Sequence, residues 1–524
     1  MHPYRWGDPD RPATLPPAAA GALGHLGVTP PAHGPVDLSE VALPEITLPD
    51  EVRTEIEAAV GVSQVRSDRE ARVEHTRGWS TPDILRLRAG DADDAPDAVV
   101  FPASHDEVLA VLEICTRHRV AVVPFCGGTS VVGGLTPARE GFTAVIALDL
   151  RQLDALVDVD TESRTATLEA GVRGPRAEAL LAEHGLTLGH FPQSYEGASI
   201  GGYAAARSAG QASAGFGRFD EMVVGVVLAT PRGTIDLGSA PMSAAGPDLR
   251  QLVLGSEGTL GVITSVTVRV RPVAAQKVYE GWRFDSFASG AAALRTLVQQ
   301  GPVPTVVRLS DEAETAVNLA DPDGQLGSGP GGCLAIVGFE GTAEDVASRR
   351  AGADRVLREC GGEALGTGPG DAWSEGRYRG PYLRDPLLDA GAFVETLETA
   401  TFWSKLGTLR TAVTEALTST LAAGGTPPVV LCHISHVYET GASLYFTVLC
   451  AQADDPLGQW SQAKAAANQA IRAAGATITH HHGVGIDHRE TYAQEVGPLA
   501  IEALRAVKAS LDPAGILNPG VLVG

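Results

Sequence analysis

From about residue 92 the chain alternates short apolar runs with amphipathic ones. "DAVVFPAS" (97–104) predicts a strand, and "SHDEVLAVLEICTRHR" (104–119) a helix with Ser104 as N-cap and Glu107 three positions on. "VAVVPFCGGTSVVGGL" (120–135) reads as a buried strand that runs into a glycine loop. "FTAVIALDL" (142–150) and "TATLEAGV" (165–172) are further strands. "GPRAEALLAEHG" (174–185) is a helix with proline near its start and Gly185 at its end. "MVVGVVLATPRGTIDL" (222–237) predicts a hairpin turning at Pro231-Arg232-Gly233, and "GTLGVITSVTVRVRP" (258–272) one long strand.

Beyond 272 the pattern changes. "TVVRLSDEAE" (305–314), "GCLAIVGFEG" (332–341), "PVVLCHISHV" (428–437) and "ASLYFTVLC" (442–450) are strands between long helical stretches such as "AEDVASRRAGADRVLREC" (343–360). That order predicts an α+β unit on an antiparallel sheet. The first 50 residues are rich in Pro, Ala and Gly and predict an extended arm; "LPDEVRTEIEAAVG" (48–61) predicts a helix ending at Gly61. The expected division is an arm and helical segment over 1–91, an α/β domain over 92–272, a cap over 273–465, and a helical C-terminal segment over 466–524 that returns to the site. A chain of 524 residues is long enough for such a plan.

Composition narrows the function. Hydrophobic residues make up 44% and charged ones 20%, as in a globular protein. A formal net charge of −23 argues against general nucleic-acid binding, so any anion pocket needs local cations. Six cysteines (115, 126, 333, 360, 432, 450) show no CxxC spacing, which argues against a disulfide framework or a structural zinc site. The first residues show no signal-peptide core, the last are not a Ser-Lys-Leu address, and no apolar run approaches a membrane span. The expected compartment is a reduced cytoplasm.

Three glycine-rich blocks carry the first chemistry. In "PFCGGTSVVGGL" (124–135) four glycines follow an apolar strand, so that peptide N–H groups can converge on one spot, as a pyrophosphate requires. The same spacing is compatible with an ordinary glycine turn. It is neither GxGxxG nor a P-loop. "FPQSYEGASIGGYAAARSAGQASAGFGRFDEMV" (191–223) has too little bulk for a packed core and suits a flat cofactor laid on backbone. "GPDLRQLVLGSEGTLGVIT" (246–264) again sets glycines beside a strand.

In this order the three blocks resemble the FAD-binding domain of the vanillyl-alcohol oxidase superfamily. The resemblance implies an α+β two-domain flavoprotein, with an FAD-binding α/β domain and an antiparallel-sheet cap. It assigns the pyrophosphate loop to Pro124, Phe125, Cys126, Gly127, Gly128, Thr129, Ser130, Gly133 and Gly134. It assigns the ring and ribityl contacts to Ser199, Ile200, Gly201 and Gly202, and places Pro192 and Gln193 among the cofactor-binding residues. The adenine end falls to Glu257, Gly258, Gly261 and Ile263. Thr129 stands where a linking histidine would sit, which implies non-covalent FAD; Cys126, where glycine is commoner, is expected to pack.

"THHHGVGIDH" (479–488) holds three adjacent histidines among only 14 in the chain. Three imidazoles in one pocket push their pKa values apart and can divide acid and base work. A solvated turn or a metal site would also place histidines side by side. The segment resembles the signature of the alkyldihydroxyacetonephosphate synthase family, as do "RWGDP" (5–9), "STPDILRLR" (80–88), "VVRLSDEAET" (306–315), "YLRD" (382–385), "GASLYF" (441–446) and "LNPG" (517–520). The resemblance implies that Tyr445 is the acid/base, assisted by His480, His481 and His482. It implies that Arg384 grips a substrate phosphate, for which a bidentate guanidinium is suited. Arg308 is expected to point into the cavity, or else to pair with Asp311 or Glu312; an Arg384–Asp385 surface pair is the plain alternative for Arg384. For the phenol to serve, a lowered pKa is expected from neighbouring imidazolium or arginine. His433 and His436 stand where the animal enzymes have arginine and glutamine, and Ala205 and Ala206 where they have serine and threonine. His433 is placed among the substrate-binding residues. No metal set is assigned, although these two histidines and the run leave a hydroxyacid-dehydrogenase type of metal site open.

The implied activity is exchange of the acyl group of 1-acyl-dihydroxyacetone phosphate for a long-chain alcohol, with FAD as electron sink and no net redox. The alternative is an FAD-dependent 2-hydroxyacid dehydrogenase or oxidase. A chain of about 16 carbons at ~0.8 kcal/mol per CH₂ offers on the order of 12 kcal/mol of transfer energy, so an apolar tunnel between the domains is expected. Lipid partners leave room for peripheral contact at the inner membrane face and for a homodimer; nucleic acid is not expected.

Overall fold

The computed structural model describes residues 13–15, 21, 23–31, 33–318 and 331–523. "RWGDP" (5–9) lies outside them. Three sheets organise the chain. The first has the order Val65–Arg66, Ala98–Val100, Ala144–Asp149, Val120–Phe125, with the last three strands parallel. Helix His105–His118 makes the crossover between Ala98–Val100 and Val120–Phe125, and the Ser104 hydroxyl caps it by accepting from Glu107 N. The second sheet is antiparallel: Leu156–Asp160, Thr165–Glu169, Val262–Arg269, Val223–Thr230, Gly233–Leu237.

One predicted strand divides. The run 258–272 forms Val262–Arg269 and then Arg271–Pro272, which pairs with Leu186–Thr187 in a separate ribbon. Pro272 has no N–H to continue a ladder, so the edge ends there. Strand Leu156–Asp160 escaped the pattern because its apolar residues are not kept on one buried face: Val157 is 59% exposed.

The third sheet has seven antiparallel strands in the order Glu363–Gly366, Gln276–Phe284, Cys333–Gly341, Val306–Ser310, Val429–Val437, Gly441–Ala451, Ala392–Phe402. Its period-2 pattern separates two faces. Cys432, Ile434, Leu444, Phe446, Val448, Phe393 and Leu397 pack into a core with helices Phe287–Gln300, Ala343–Glu359, Leu406–Ala423 and Pro456–Ala473. The alternate positions Leu431, His433, Tyr445, Thr447, Leu449, Val394 and Thr396 line a cavity instead. Residue 465, the expected end of the cap, falls inside helix Pro456–Ala473, which packs on Leu406–Ala423; the turn comes only after Ala473.

The C-terminus closes on the first sheet. Val122 N donates to Ile516 O (2.8 Å), and Asn518 N donates to Val122 O (2.9 Å). The Asn518 amide also donates to Gly134 O (2.9 Å) and Glu257 O (2.7 Å), tying together two of the glycine loops. No helix among the described residues is long and apolar enough to cross a membrane.

Candidate active site

A cavity of about 890 Å³ lies between the glycine loops and the open face of the seven-stranded sheet. That is near the upper end of the roughly 300–1,000 Å³ usual for a small-molecule site. Its floor is Pro124, Phe125, Cys126, Gly127, Gly128, Thr129, Ser130 and Gly134, joined by Pro192, Gln193, Ser199, Gly201 and Gly202, and by Glu257, Gly258, Gly261 and Ile263. Two expected floor residues are not there. Ile200 is fully buried in the core under helix Ile200–Ala206. Gly133 turns away at φ +69, and a Cβ on it would meet Ile486 Cγ1 at 2.5 Å. It therefore serves the packing of the C-terminal segment.

The glycines act differently from the simple picture of a cofactor laid over missing side chains. A Cβ on Gly127 would meet Gly197 O at 2.4 Å, and one on Gly201 would meet Ala170 Cβ at 2.7 Å. Protein fills that space, so these glycines let backbones approach and leave peptide groups as the cavity wall. Among the described residues no acceptor takes the N–H groups of the buried Gly127 and Gly128. Unpaired N–H groups beside a cavity of this size fit a pyrophosphate, and the glycine floor fits FAD. The Cys126 thiol, pushed up to about 11 chiefly by burial, stays protonated and is a poor nucleophile toward a flavin.

The opposite wall is built by strand register. Tyr445 pairs with His433 on one side and Glu398 on the other, so three polar side chains share one row. The His433 and Tyr445 rings stack with centroids 5.0 Å apart. Two residues on, an irregularity re-aims the strand: Ile434 pairs with Leu444, but His436 pairs with Ser443, leaving Ser435 unopposed. This bulge turns His436 from the core face to the cavity, where it lines the wall. Ser443 steadies the bulge, its Oγ accepting from His436 N (3.0 Å) and lying 2.7 Å from Ser435 Oγ.

The histidine run meets this wall through Glu398. The Glu398 carboxylate accepts from His480 N (2.7 Å), His481 N (3.2 Å), His482 N (3.0 Å) and Thr479 Oγ1 (2.6 Å). Burial opposes its charge, but the imidazoles of His481, His482 and His480 and the Thr479 hydroxyl outweigh this and hold it well below the usual carboxylate range. Sequence reasoning missed Glu398; two glutamates in the apolar strand "AFVETLETATF" were the available signal, since buried carboxylates need partners. A second strut is Glu257, whose Oε2 accepts from Val484 N (3.0 Å) and whose Oε1 accepts from Gly485 N (3.0 Å). It thus fastens the histidine loop to the flavin side.

His481 and His482 line the cavity, and His480 does not. Burial keeps all three imidazoles below their ordinary pKa, with His482 pushed down to about 3. His436, stacked on His480 at 5.1 Å, is lowered for the same reason. One ring nitrogen each from His436, His480 and His481 lies within 4.8 Å of the others, a spacing that a metal ion could bridge.

Tyr445 overturns one expectation. Its phenol is pushed up to about 12, because burial and the carboxylates of Glu395 and Glu398 outweigh the Thr396 hydrogen bond and the Arg384 charge. It is therefore a resident O–H donor and not a resident phenolate. Arg308 lines the cavity with its charge committed to an ion pair with Glu314; Asp311 and Glu312 pair with Arg410 instead (3.3 and 3.0 Å). His433 Nδ1 joins that group, 2.9 Å from Glu314 Oε2 and 3.1 Å from Arg308 Nη2. Arg384 opens helix Arg384–Asp389 and lines the cavity, while Asp385 is buried, so a pair on the open surface is not what the fold builds. Leu383, Leu387, Val394, Leu431, Leu449 and Val317 supply an apolar stretch of wall.

Comparison with known proteins agrees with this geometry. Residues 96–237 match the family described as FAD binding domain, and residues 273–522 the family of FAD linked oxidases, C-terminal domain. The chain is 32% identical over 538 residues to the alkyldihydroxyacetonephosphate synthase of Dictyostelium discoideum, covering 99% of this chain and 85% of that one. It is 34% identical to the enzyme of Trypanosoma brucei brucei, over 90% of this chain and 80% of the other. A solved alkyldihydroxyacetonephosphate synthase superposes with a TM-score of 0.85 at 28% identity, covering 99% of this chain and 98% of its own. The chain belongs to the alkyldihydroxyacetonephosphate synthase family of FAD-binding enzymes.

Proposed function

We propose that the protein is an alkyldihydroxyacetonephosphate synthase, exchanging the acyl group of a 1-acyl-dihydroxyacetone phosphate for a long-chain alcohol. The observation that carries this reading is the single cavity that joins the glycine floor to Arg384, Tyr445, His481 and His482 and continues along apolar side chains. A substrate with a phosphate at one end and an acyl chain at the other matches such a wall. FAD, held by the glycine floor of 92–272 beneath the cap, would supply an electron-accepting centre beside the substrate's C1.

This chain's residues would divide the remaining work. Arg384 holds the phosphate by charge-assisted hydrogen bonds. Tyr445 donates its O–H to the oxygen that leaves with the acyl group, which suits a phenol kept protonated. His482 and His481, neutral at pH 7, accept the protons removed from C1 and from the alcohol. Closure of the cap face over the floor excludes water that would compete with the alcohol. The Arg308–Glu314–His433 group orients the ring of Tyr445 through the His433 stack.

The test is exchange without an external electron acceptor. The FAD-loaded protein, kept anaerobic with acyl-dihydroxyacetone phosphate and hexadecanol, is expected to make product with the flavin spectrum oxidised at the end. Product only when an acceptor is added would overturn the reading.

A further inference from the structure

His436 on a cap strand meets His480 and His481 of the C-terminal loop, and the three rings are evenly spaced. Their centroids are 5.1 Å apart for His436 and His480, 5.3 Å for His436 and His481, and 5.2 Å for His480 and His481. Three imidazoles that bind one tetrahedral ion through nitrogens at about 2.0–2.1 Å have their centroids about 5.2 Å apart. The triangle of rings therefore has the size that a shared ion requires. His480 Nδ1 and His481 Nδ1 also face each other at 2.9 Å.

His436 adds an independent observation. Its Nδ1 is buried and has no hydrogen-bond partner among the described residues, a costly state for a ring nitrogen. The bulge at Ser435 is what brings this ring beside the other two. The surroundings suit the outer shell of an ion. Tyr438 Oη lies 2.5 Å from His480 Nε2, so this nitrogen can donate to the phenol and leave Nδ1 its lone pair. Glu398 Oε2, 3.6 Å from His481 Nδ1, supplies negative charge next to the rings. Arg218, whose charge acts on all three rings, is paired with Asp220 at 2.9 Å. A second cavity of about 550 Å³, with His480, His481 and Tyr438 on its wall, reaches solvent at the exposed Gln251, Leu252 and Glu495 and offers a way in.

We propose that His436, His480 and His481 bind one divalent ion of the zinc class. An all-imidazole set suits Zn²⁺, Co²⁺ or Ni²⁺ and not Mg²⁺ or Ca²⁺, which take oxygen ligands. With three protein ligands, the fourth position of the ion is left to water. Binding at this site does not depend on the proposed exchange. Its effect on the exchange does rest on that reading. An imidazole that holds an ion through one nitrogen keeps its proton on the other, so His481 could no longer accept one. The ion is thus an inhibitor of ether formation.

Zn²⁺ titrated calorimetrically into the FAD-loaded full chain, first stripped with EDTA, is expected to bind one to one with a Kd of about 1 µM or below. Excess Mg²⁺ should not compete. His436→Gln should weaken this binding about 100-fold or more, since losing an outer-shell partner alone costs about 10–100-fold. Zinc-edge X-ray absorption of the wild type at one equivalent needs no variant, and should show at least three imidazole nitrogens at about 2.0–2.1 Å. Zn²⁺ that does not bind, that binds the variant as tightly as the wild type, or that carries fewer than three imidazoles would overturn the site. In the ether-forming assay, the Zn²⁺ concentration for half inhibition should rise in the variant by the same factor as the Kd. Equal inhibition of both proteins would overturn the inhibitory role. A wild type that makes no ether would count against the functional reading alone, and the calorimetry and absorption spectra would still decide the site.

Discussion

Glu398 and Tyr445 are direct partners across adjacent strands, and the same carboxylate that faces the phenol gathers the backbone of all three histidines of the run. One residue on a cap strand therefore links the Tyr445 phenol of the cap to the imidazoles of the C-terminal loop. The loop is itself fastened to the flavin side by Glu257. The histidine loop is held from both sides of the cavity.

Replacing that carboxylate should loosen the site. Glu398→Gln presents an amide to donors that now find a charge, and is expected to lower stability by about 2–4 kcal/mol at pH 7. The folded-state pKa is depressed, so this stability is present above the unfolded value of about 4.3 and is lost as pH falls through the lower folded value. Urea unfolding of wild type and variant at pH 7 and pH 3 should show the difference shrinking at the lower pH. A difference that is constant with pH would mean that the carboxylate charge is not what holds the loop.

Tyr445→Phe should keep FAD bound and reduce ether formation by about 10²–10⁴-fold. Because the phenol is held up to about 12, it stays protonated across pH 6–10 and should contribute no inflection to the wild-type rate profile there. An alkaline inflection near pH 8 that disappears in the variant would show an ionised tyrosine instead.

Arg384→Ala should raise KM for the phosphate-bearing substrate by about 10–100-fold, the equivalent of about 1.5–3 kcal/mol for a lost charged hydrogen bond. KM for the alcohol should not change. Equal effects on both substrates would remove Arg384 from phosphate binding.

Phe446 is fully buried on the helix-packed face of the cap sheet, one residue from Tyr445. Phe446→Ala should cost about 3–5 kcal/mol by opening a cavity there. A loss below about 1 kcal/mol in thermal or urea unfolding would show that this face can collapse around the gap.

Much of this architecture was legible in the chain. Ser104 and Glu107 announced the first crossover helix, and the glycine blocks announced the floor, because caps and glycine turns are local devices. The run "ASLYFTVLC" was legible as a strand, and the structure sets Tyr445 and Thr447 on the cavity face and Leu444, Phe446 and Val448 in the core. The misses share a cause. Glu398 and Glu314 bind His480 and His433, 82 and 119 positions away, and no local pattern reveals such pairing. The bulge at Ser435 reverses the face of His436, a change that simple period-2 counting places wrongly. Tyr445 was expected to have a lowered pKa because its positive neighbours were easy to name, whereas the burial and carboxylates that raise it are visible only in three dimensions.

The most direct measurement is incubation of the FAD-loaded protein with palmitoyl-dihydroxyacetone phosphate and labelled hexadecanol, followed by alkali. The account predicts label in an alkali-stable ether and release of one palmitate per ether formed. No ether, together with rapid anaerobic bleaching of the flavin by D-lactate, glycolate or D-2-hydroxyglutarate, would contradict it.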